Sequence, residues 1–518
     1  MLAFVLHAHQ PYVRHPERSD SYDEETWYFE AFVESYLPLL GVLQRLADDG
    51  VSSVVSLALS PTLMEMTRDG LVQKRFALHL ERMLALGESE LARTRGHPFE
   101  EVARITRARL ESARVYLEGG GDLLADILEL HAAGRLDLLA GPATHAYLPL
   151  LQPAAVRAQL RAARGAFRDH LGVEPRGLWL TQNGYSEDLD QEIARCGFDY
   201  FLVDSGGLTR ASPQPRYATF RPIRCPAGNL CLAQDLEAVG EVLSPAGYPS
   251  DPLYRDFFRD IGWDLDHEYL SPYVQTPGRR FTGYKYFRIT GPTDRKEAYH
   301  PGAGAARAQE HAELFVASRD RQLRWLGGHM QAQTPLLVLC YDMELLGHRW
   351  FEGPGWLEGV FRVLAKSTIP VLGLSEALER VGPVQSCRPA TSSGLEGGYS
   401  RPLVKESNQW IYRHLHQACR DMADLVVSLQ DPTPLEYRGL QQAGRELLLA
   451  EASDWAVMLA SDVYPGYAQS RLTQHILEFC RLREELARRR AQEAPLERAE
   501  KRSPLFSGLD PMNWGESL

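Results

Sequence analysis

The sequence predicts an α/β protein. Its core is a parallel sheet covered by helices and closed or nearly closed into a β/α barrel, followed by a helical C-terminal domain. Three observations predict this. Before residue 380, about seven short apolar runs alternate with helical stretches and show little sign of hairpins. Many of these runs end in chemically capable polar residues, as the strands of barrel enzymes do at their C-terminal ends. From residue 408 to 492 almost every stretch has helical spacing.

The elements follow in order. Residues 3–9 form the first strand, and His7 and His9 share a face because side chains two apart on a strand point the same way. These histidines could bind sugar, hold a metal or act as buried donors. A metal is disfavoured because no third ligand stands nearby in sequence. Residues 30–49 are helical by the spacing of Phe32, Tyr36, Leu39, Leu40, Leu43 and Leu46. Residues 51–60 are a second buried strand. The stretch 63–135, rich in Glu, Arg and Leu, is too long for one crossover and reads in part as a helical insertion. Strand 136–140 leads to His145. Helix 152–171 leads to strand 177–180, which ends in Thr181, Gln182 and Asn183.

Ser186 is expected to cap a helix over 187–196. Strand 199–203 ends in Asp204. The proline-bearing stretch 208–229 reads as a long loop beside the site, a candidate lid. Residues 251–286 mix aromatics with Gly and Pro. Helix 303–330, strand 336–341, helix 356–365 and a last short strand 369–374 complete the first domain, 1–385. A linker is expected over 386–407. A helical domain over 408–518 follows, with helices 410–428, 434–461 and 468–492 and a packed tail.

Bulk properties exclude several function classes. The chain has 518 residues, a net charge of -12 and 44% hydrophobic residues. Nucleic acid and anionic membranes need a cationic face, which this balance does not favour. No apolar run approaches the roughly 20 residues of a membrane span, and no signal peptide is evident at Met1. Seven cysteines without C-x-x-C spacing read as reduced thiols of a cytoplasmic protein.

The stretch 335–355 carries the densest chemistry. An apolar run ends abruptly in Asp342, and Glu344, His348, Trp350 and Glu352 follow. Several segments together now show a family pattern: L-H-A-H-Q-P-Y-V from Leu6, A-T-H-A-Y-L-P-L-L from Ala143, G-Y-P-S-D-P-L-Y-R-D from Gly247, Y-D-M-E-L-L-G-H-R-W-F-E-G from Tyr341, W-I-Y-R-H-L-H from Trp410 and L-L-L-A-E-A-S-D-W from Leu447. In these segments the chain resembles glycoside hydrolase family 57, and within it the 1,4-α-glucan branching enzymes.

The resemblance implies an incomplete (β/α)7 barrel with a helical insertion and a helical C-terminal domain. It implies α-glucan metabolism without a metal or an organic cofactor. It also implies a retaining mechanism that needs two carboxylates, a nucleophile and an acid/base. Asp342 matches the acid/base position. His7, His9 and His145 match positions lining the donor subsite. Trp179, Trp350, Trp410, Asp454 and Trp455 match positions around the cleft, where aromatic faces would stack on glucose rings.

One position breaks the pattern. The family's nucleophile segment has the form W-L-P-E-x-x-Y, and here it reads Trp179, Leu180, Thr181, Gln182, Asn183, Gly184, Tyr185. An amide is a poor nucleophile and carries no charge to stabilise an oxocarbenium-like transition state. Thr181, Asn183 and Gly184 depart as well, as do Leu243, Arg349, Gly394 and Leu395 elsewhere. These departures predict an inactive or strongly impaired homologue that binds α-glucan. The competing readings are an active transferase or hydrolase using another carboxylate (Glu187, Asp188 or Asp204) and a metal-dependent deacetylase-like barrel using His7, His9 and an Asp.

Overall fold

The computed structural model describes residues 1–17, 23–274, 278–331 and 333–515. Nine strands form one sheet in the order β8-β1-β2-β3-β4-β5-β7-β6-β9. They are β1 (Leu2–Ala8), β2 (Val55–Leu59), β3 (Leu136–Ala140), β4 (Gly177–Trp179), β5 (Tyr200–Val203), β6 (Ile223–Arg224), β7 (Leu230–Ala233), β8 (Leu337–Asp342) and β9 (Gln385–Ser386). From β8 to β7 every pairing is parallel. The sheet is an incomplete (β/α)7 barrel: seven parallel strands curl without the two ends meeting.

Parallel strands covered on both faces read as unbroken apolar runs. β1 is buried throughout. Its alternate residues divide between two cores. Leu2, Phe4 and Leu6 pack outward against the helices, and Ala3 and Val5 pack inward. The inner cluster also holds Ala58, Leu139, Trp179, Leu202, Val338 and Cys340. Parity therefore aims His7 and Asp342, two residues beyond Val5 and Cys340, into the barrel interior. In the sheet register His7 lies opposite Asp342.

The helical insertion is observed as Pro61–Arg68, Gly70–Arg93, Glu100–Glu118 and Leu123–Ala132. The expected helix over 30–49 is longer and interrupted. Thr26–Ala31 runs into a π-helical turn, Phe32–Tyr36, and then into Leu37–Asp48.

Several expectations need correction. The stretch 208–229 contributes β6, which forms an antiparallel pair with β7. It is anchored by mutual Ser212–Arg388 backbone bonds and by Arg221, whose guanidinium donates to the carbonyls of Val381 and Pro383. That anchoring does not suit a lid. Residues 369–374 form only an isolated bridge, Leu2 with Val371, before helix Leu374–Val381 packs against the inner cluster. Ser186 is not the N-cap; helix Leu189–Arg195 starts at Asp188, whose φ is 68°, and the Ser186 carbonyl only accepts from the Leu189 N–H. The residues expected as a linker are held in place. β9 joins the sheet, and Ser392 and Ser393 are buried.

The C-terminal helices are Trp410–Ser428, Pro434–Ala450, Ser453–Ser461, Pro465–Ala487 and Glu493–Arg502. The expected continuous helix over 434–461 breaks at Glu451 and Ala452, and Ala452 bridges to Ala146 of the barrel. The break is supported from below. Gln159 donates to Glu451 (2.9 Å) and accepts from the backbone of Thr144 (3.0 Å). It brings Ser453 and Asp454 to the C-terminal ends of β1 and β3. No described helix is long and apolar enough to cross a membrane.

Candidate functional site

Strand ends build the site. β1 supplies His7 and, just past its end, His9; the loop after β3 supplies His145; β4 supplies Trp179; β8 supplies Asp342. The rings form a stack. Trp179 lies over His7 (4.9 Å, 14°), His7 beside His145 (5.1 Å, 20°), and His145 against His9 (3.7 Å, 19°). A carboxylate closes each side. His7 Nδ1 is 3.2 Å from Asp342 Oδ1. His9 Nε2 lies 3.1 Å from Asp454 Oδ1 and 3.2 Å from Oδ2.

Second contacts fix each ring. His9 Nδ1 meets Ser60 Oγ at 3.0 Å, and the His9 backbone N–H donates to Glu344 Oε1 at 2.9 Å. Ser453 Oγ donates to the His145 carbonyl at 2.7 Å and lies 3.4 Å from its Nδ1. His145 itself sits at φ 54°, in the left-handed region that only a few per cent of residues other than glycine occupy. Such strain persists only where the surroundings over-determine it, and it clusters at functional sites.

The electrostatics follow from burial. Burial holds the imidazoles of His9 and His145 well below their ordinary range, and the neighbouring histidines push the same way. Both rings are therefore neutral near pH 7. Burial pushes Asp454 up to about 6. The protein around Asp342 also opposes its charge, but the hydrogen bond and charge of His7 prevail and hold it below the usual carboxylate range. Although the cleft walls surround it, 66% of the Asp342 side-chain surface is open to solvent.

The loop after β8 docks onto the π-helical turn. Glu34 meets His348 Nδ1 at 2.7 Å, and Ser35 Oγ accepts from the His348 backbone. Gly347, at φ 112°, packs so closely that a Cβ would stand 1.9 Å from the Glu34 carbonyl. Tyr36 donates to Glu344. Glu352 accepts from the Arg255 backbone at 3.1 Å. Glu344, His348 and Glu352 thus hold the loop in place, and the Asp342 carboxylate is left exposed.

The Gln182 turn is rigid as well. Gln182 and Asn183 have φ of 54° and 49°. Gly394 donates to the Gln182 carbonyl at 2.7 Å, and Tyr185 and Ser392 exchange backbone bonds. At Gly184 a Cβ would meet the Tyr147 ring at 2.3 Å, so only glycine fits.

The three carboxylates considered as substitutes are occupied elsewhere. Glu187 and Asp188 pair with Arg388 on the surface, and Asp204 accepts from Gly206 as a helix cap. Two of the expected aromatic platforms are core residues. Trp350 is 1% exposed and packs on Tyr254 and Trp356. Trp455 is as buried, and its indole donates to the Leu449 carbonyl. Trp410 is half-buried, donating to the Ser407 carbonyl. Asp454, expected at the cleft, joins the cluster through its contact with His9.

Comparison with known proteins places this geometry. The glycosyl hydrolase family 57 model matches residues 3–234. A 1,4-α-glucan branching enzyme from Thermococcus kodakarensis is 30% identical across 94% of this chain and 74% of its own length. The chain belongs to glycoside hydrolase family 57. A model of the branching-enzyme C-terminal region matches residues 414–514, so this family 57 chain is branching-enzyme-like. Two solved structures resemble it over 100% of its length. One is described as a novel α-amylase of Thermotoga maritima, with 34% identity, 99% of that chain covered and a TM-score of 0.91. The other is a branching enzyme of Pyrococcus horikoshii, with 28% identity, 97% covered and a TM-score of 0.90.

Proposed function

We propose that this family 57 chain is an α-glucan-binding homologue of the branching enzymes in which double displacement has been lost. Retaining transfer needs a carboxylate to attack the anomeric carbon and hold the glycosyl group until an acceptor hydroxyl takes it. Gln182 stands where that carboxylate belongs, and this substitution carries the reading. An amide supplies neither the electron pair nor the negative charge, and losing both costs many powers of ten in rate. The groups suited to holding sugar remain: neutral His9 and His145, Asp454, and the ionised Asp342 at the cleft mouth.

The glucan class we assign is amylose or glycogen type, and the compartment is the cytoplasm. All seven cysteines are unpaired and six of them are buried, which suits a reducing compartment. The test is retardation of the native protein in gels containing glycogen or amylose, run beside an assay for new reducing ends and α-1,6 linkages. Retardation without turnover supports the reading, and turnover contradicts it.

One observation favours a second reading. Asp454 is a carboxylate that reaches the cluster from the C-terminal helices, so a hydrolase using Asp342 and Asp454 has both groups in one cleft. That enzyme would release reducing ends, and either Asp342→Asn or Asp454→Asn would abolish the release.

A further inference from the structure

Two aromatic rings stand exposed in the segment 251–286. Phe258 is 77% exposed and Trp263 41%. A row of rings connects them. Phe258 meets Phe257 at 5.2 Å, Phe257 meets Phe281 at 5.2 Å, and Phe281 meets Trp263 at 4.5 Å. Phe257 and Phe281 are half-buried and form a floor for the exposed pair. Exposed apolar residues scattered singly carry no message, but a contiguous aromatic patch marks an interaction surface.

The segment holds these rings still. The Asp260 carboxylate accepts from the backbone of Gly262, Thr282 and Gly283, from the Thr282 hydroxyl and from Lys285 Nζ. Lys285 Nζ also lies 3.8 Å from the centre of the Phe281 ring and 4.9 Å from that of Phe257, so one buried cation underlies both floor rings. A Cβ at Gly262 would run into the Arg280 carbonyl, so only glycine lets the Trp263 turn lie this close to Phe281. Arg279 donates to the Trp263 carbonyl. A surface ordered in advance loses little freedom on binding.

Position and chemistry name the occupant. Phe257 packs edge-on against His348 (5.2 Å, 77°). His348 lies in the loop that follows Asp342, so the row of rings leads outward from the cleft wall. Next to the exposed rings in sequence stand Arg259 and Asp264, whose side chains meet at 2.6 Å and stay partly exposed. Aromatic faces cover the C–H face of a pyranose, and a guanidinium and a carboxylate at their edge suit its hydroxyls.

We propose that Phe258 and Trp263 form a platform for the part of an α-glucan chain that extends beyond the Asp342 cleft. The inference rests on the glucan reading above and adds where a long chain is held. Its signature is dependence on chain length: amylose spans cleft and platform, whereas maltotriose fills the cleft alone.

The test runs the native full chain and the Phe258→Ser, Trp263→Ser double variant in native gels of graded amylose content. Both proteins are also titrated calorimetrically with maltotriose, and circular dichroism and sedimentation verify fold and oligomeric state. The expected result is amylose affinity lower by about fivefold or more in the double variant, with maltotriose affinity and sedimentation unchanged. Equal amylose affinity in the two proteins overturns the platform, and a shift in sedimentation alongside it makes the patch a contact between copies of the chain. Equal loss for both sugars overturns it too, because the rings would then serve the cleft itself. A native chain that amylose does not retard fails the glucan reading, and the platform with it.

Discussion

His9 Nε2 meets the Asp454 carboxylate at 3.1 Å across 445 positions of sequence. The contact joins the first strand of the barrel to a helix of the C-terminal region. Both groups are largely buried, His9 at 9% and Asp454 at 13% side-chain exposure. The bond therefore orients groups that water barely reaches. Asp454→Asn keeps the shape but removes the charged acceptor. Glucan affinity in retardation gels should fall about tenfold or more, the scale of one lost hydrogen bond to a charged group. An unchanged affinity would place the glucan elsewhere.

The tryptophans separate stability from binding. Trp350 is buried against Tyr254 and Trp356, so Trp350→Ala should cost about 3–5 kcal/mol in urea unfolding. Glucan affinity per folded molecule should hold. Trp410 is half-buried, and Trp410→Ala should weaken glucan binding with a smaller stability loss. The opposite pattern would reverse these assignments.

Glu451 makes stability depend on pH. Burial pushes its carboxyl from an ordinary 4.5 up to about 8. The folded chain thus keeps a proton that the unfolded chain releases between pH 4.5 and 8. Stability falls as pH rises through that window and levels off above 8. Glu451→Gln removes the penalty and can still accept from Gln159. It should match the native protein near pH 5 and exceed it by a few kcal/mol, roughly, near pH 9. Parallel melting curves at both pH values would show no such crossover if Glu451 were ionised in the fold.

Lys285 and Asp260 pin the aromatic segment beside the cleft. The pair is buried, with Nζ 2.9 Å from Oδ2, and Asp260 also accepts from Gly262, Thr282 and Gly283. Lys285→Ala leaves a buried charge unpaired and should cost about 3–5 kcal/mol. The double variant with Asp260→Asn should recover part of that loss in a double-mutant cycle.

Much of this architecture was legible in the chain. Buried parallel strands announce themselves as apolar runs, and their polar ends mark one edge of the sheet, so His7, His9, His145, Gln182 and Asp342 were visible as strand-end residues. Short elements escaped because two-residue strands such as β6 and β9 carry no period, and 369–374 has an apolar pattern with no full neighbour to pair with. The break at Glu451 was hidden inside an uninterrupted helical pattern. Its cause is tertiary, the contact of Gln159 and Ala146 with the C-terminal helices. Trp350 and Trp455 look like platforms in sequence because an indole buried in a core and one lining a cleft have the same spacing.

The central claim is that Gln182 has replaced the nucleophile of a site that still holds glucan. It is tested most directly by incubating native protein and Asp342→Asn with amylose, then measuring reducing ends and α-1,6 linkages alongside gel retardation. The account predicts retardation of the native protein with no turnover above the Asp342→Asn background. Branching or hydrolysis by the native protein that Asp342→Asn abolishes would contradict it.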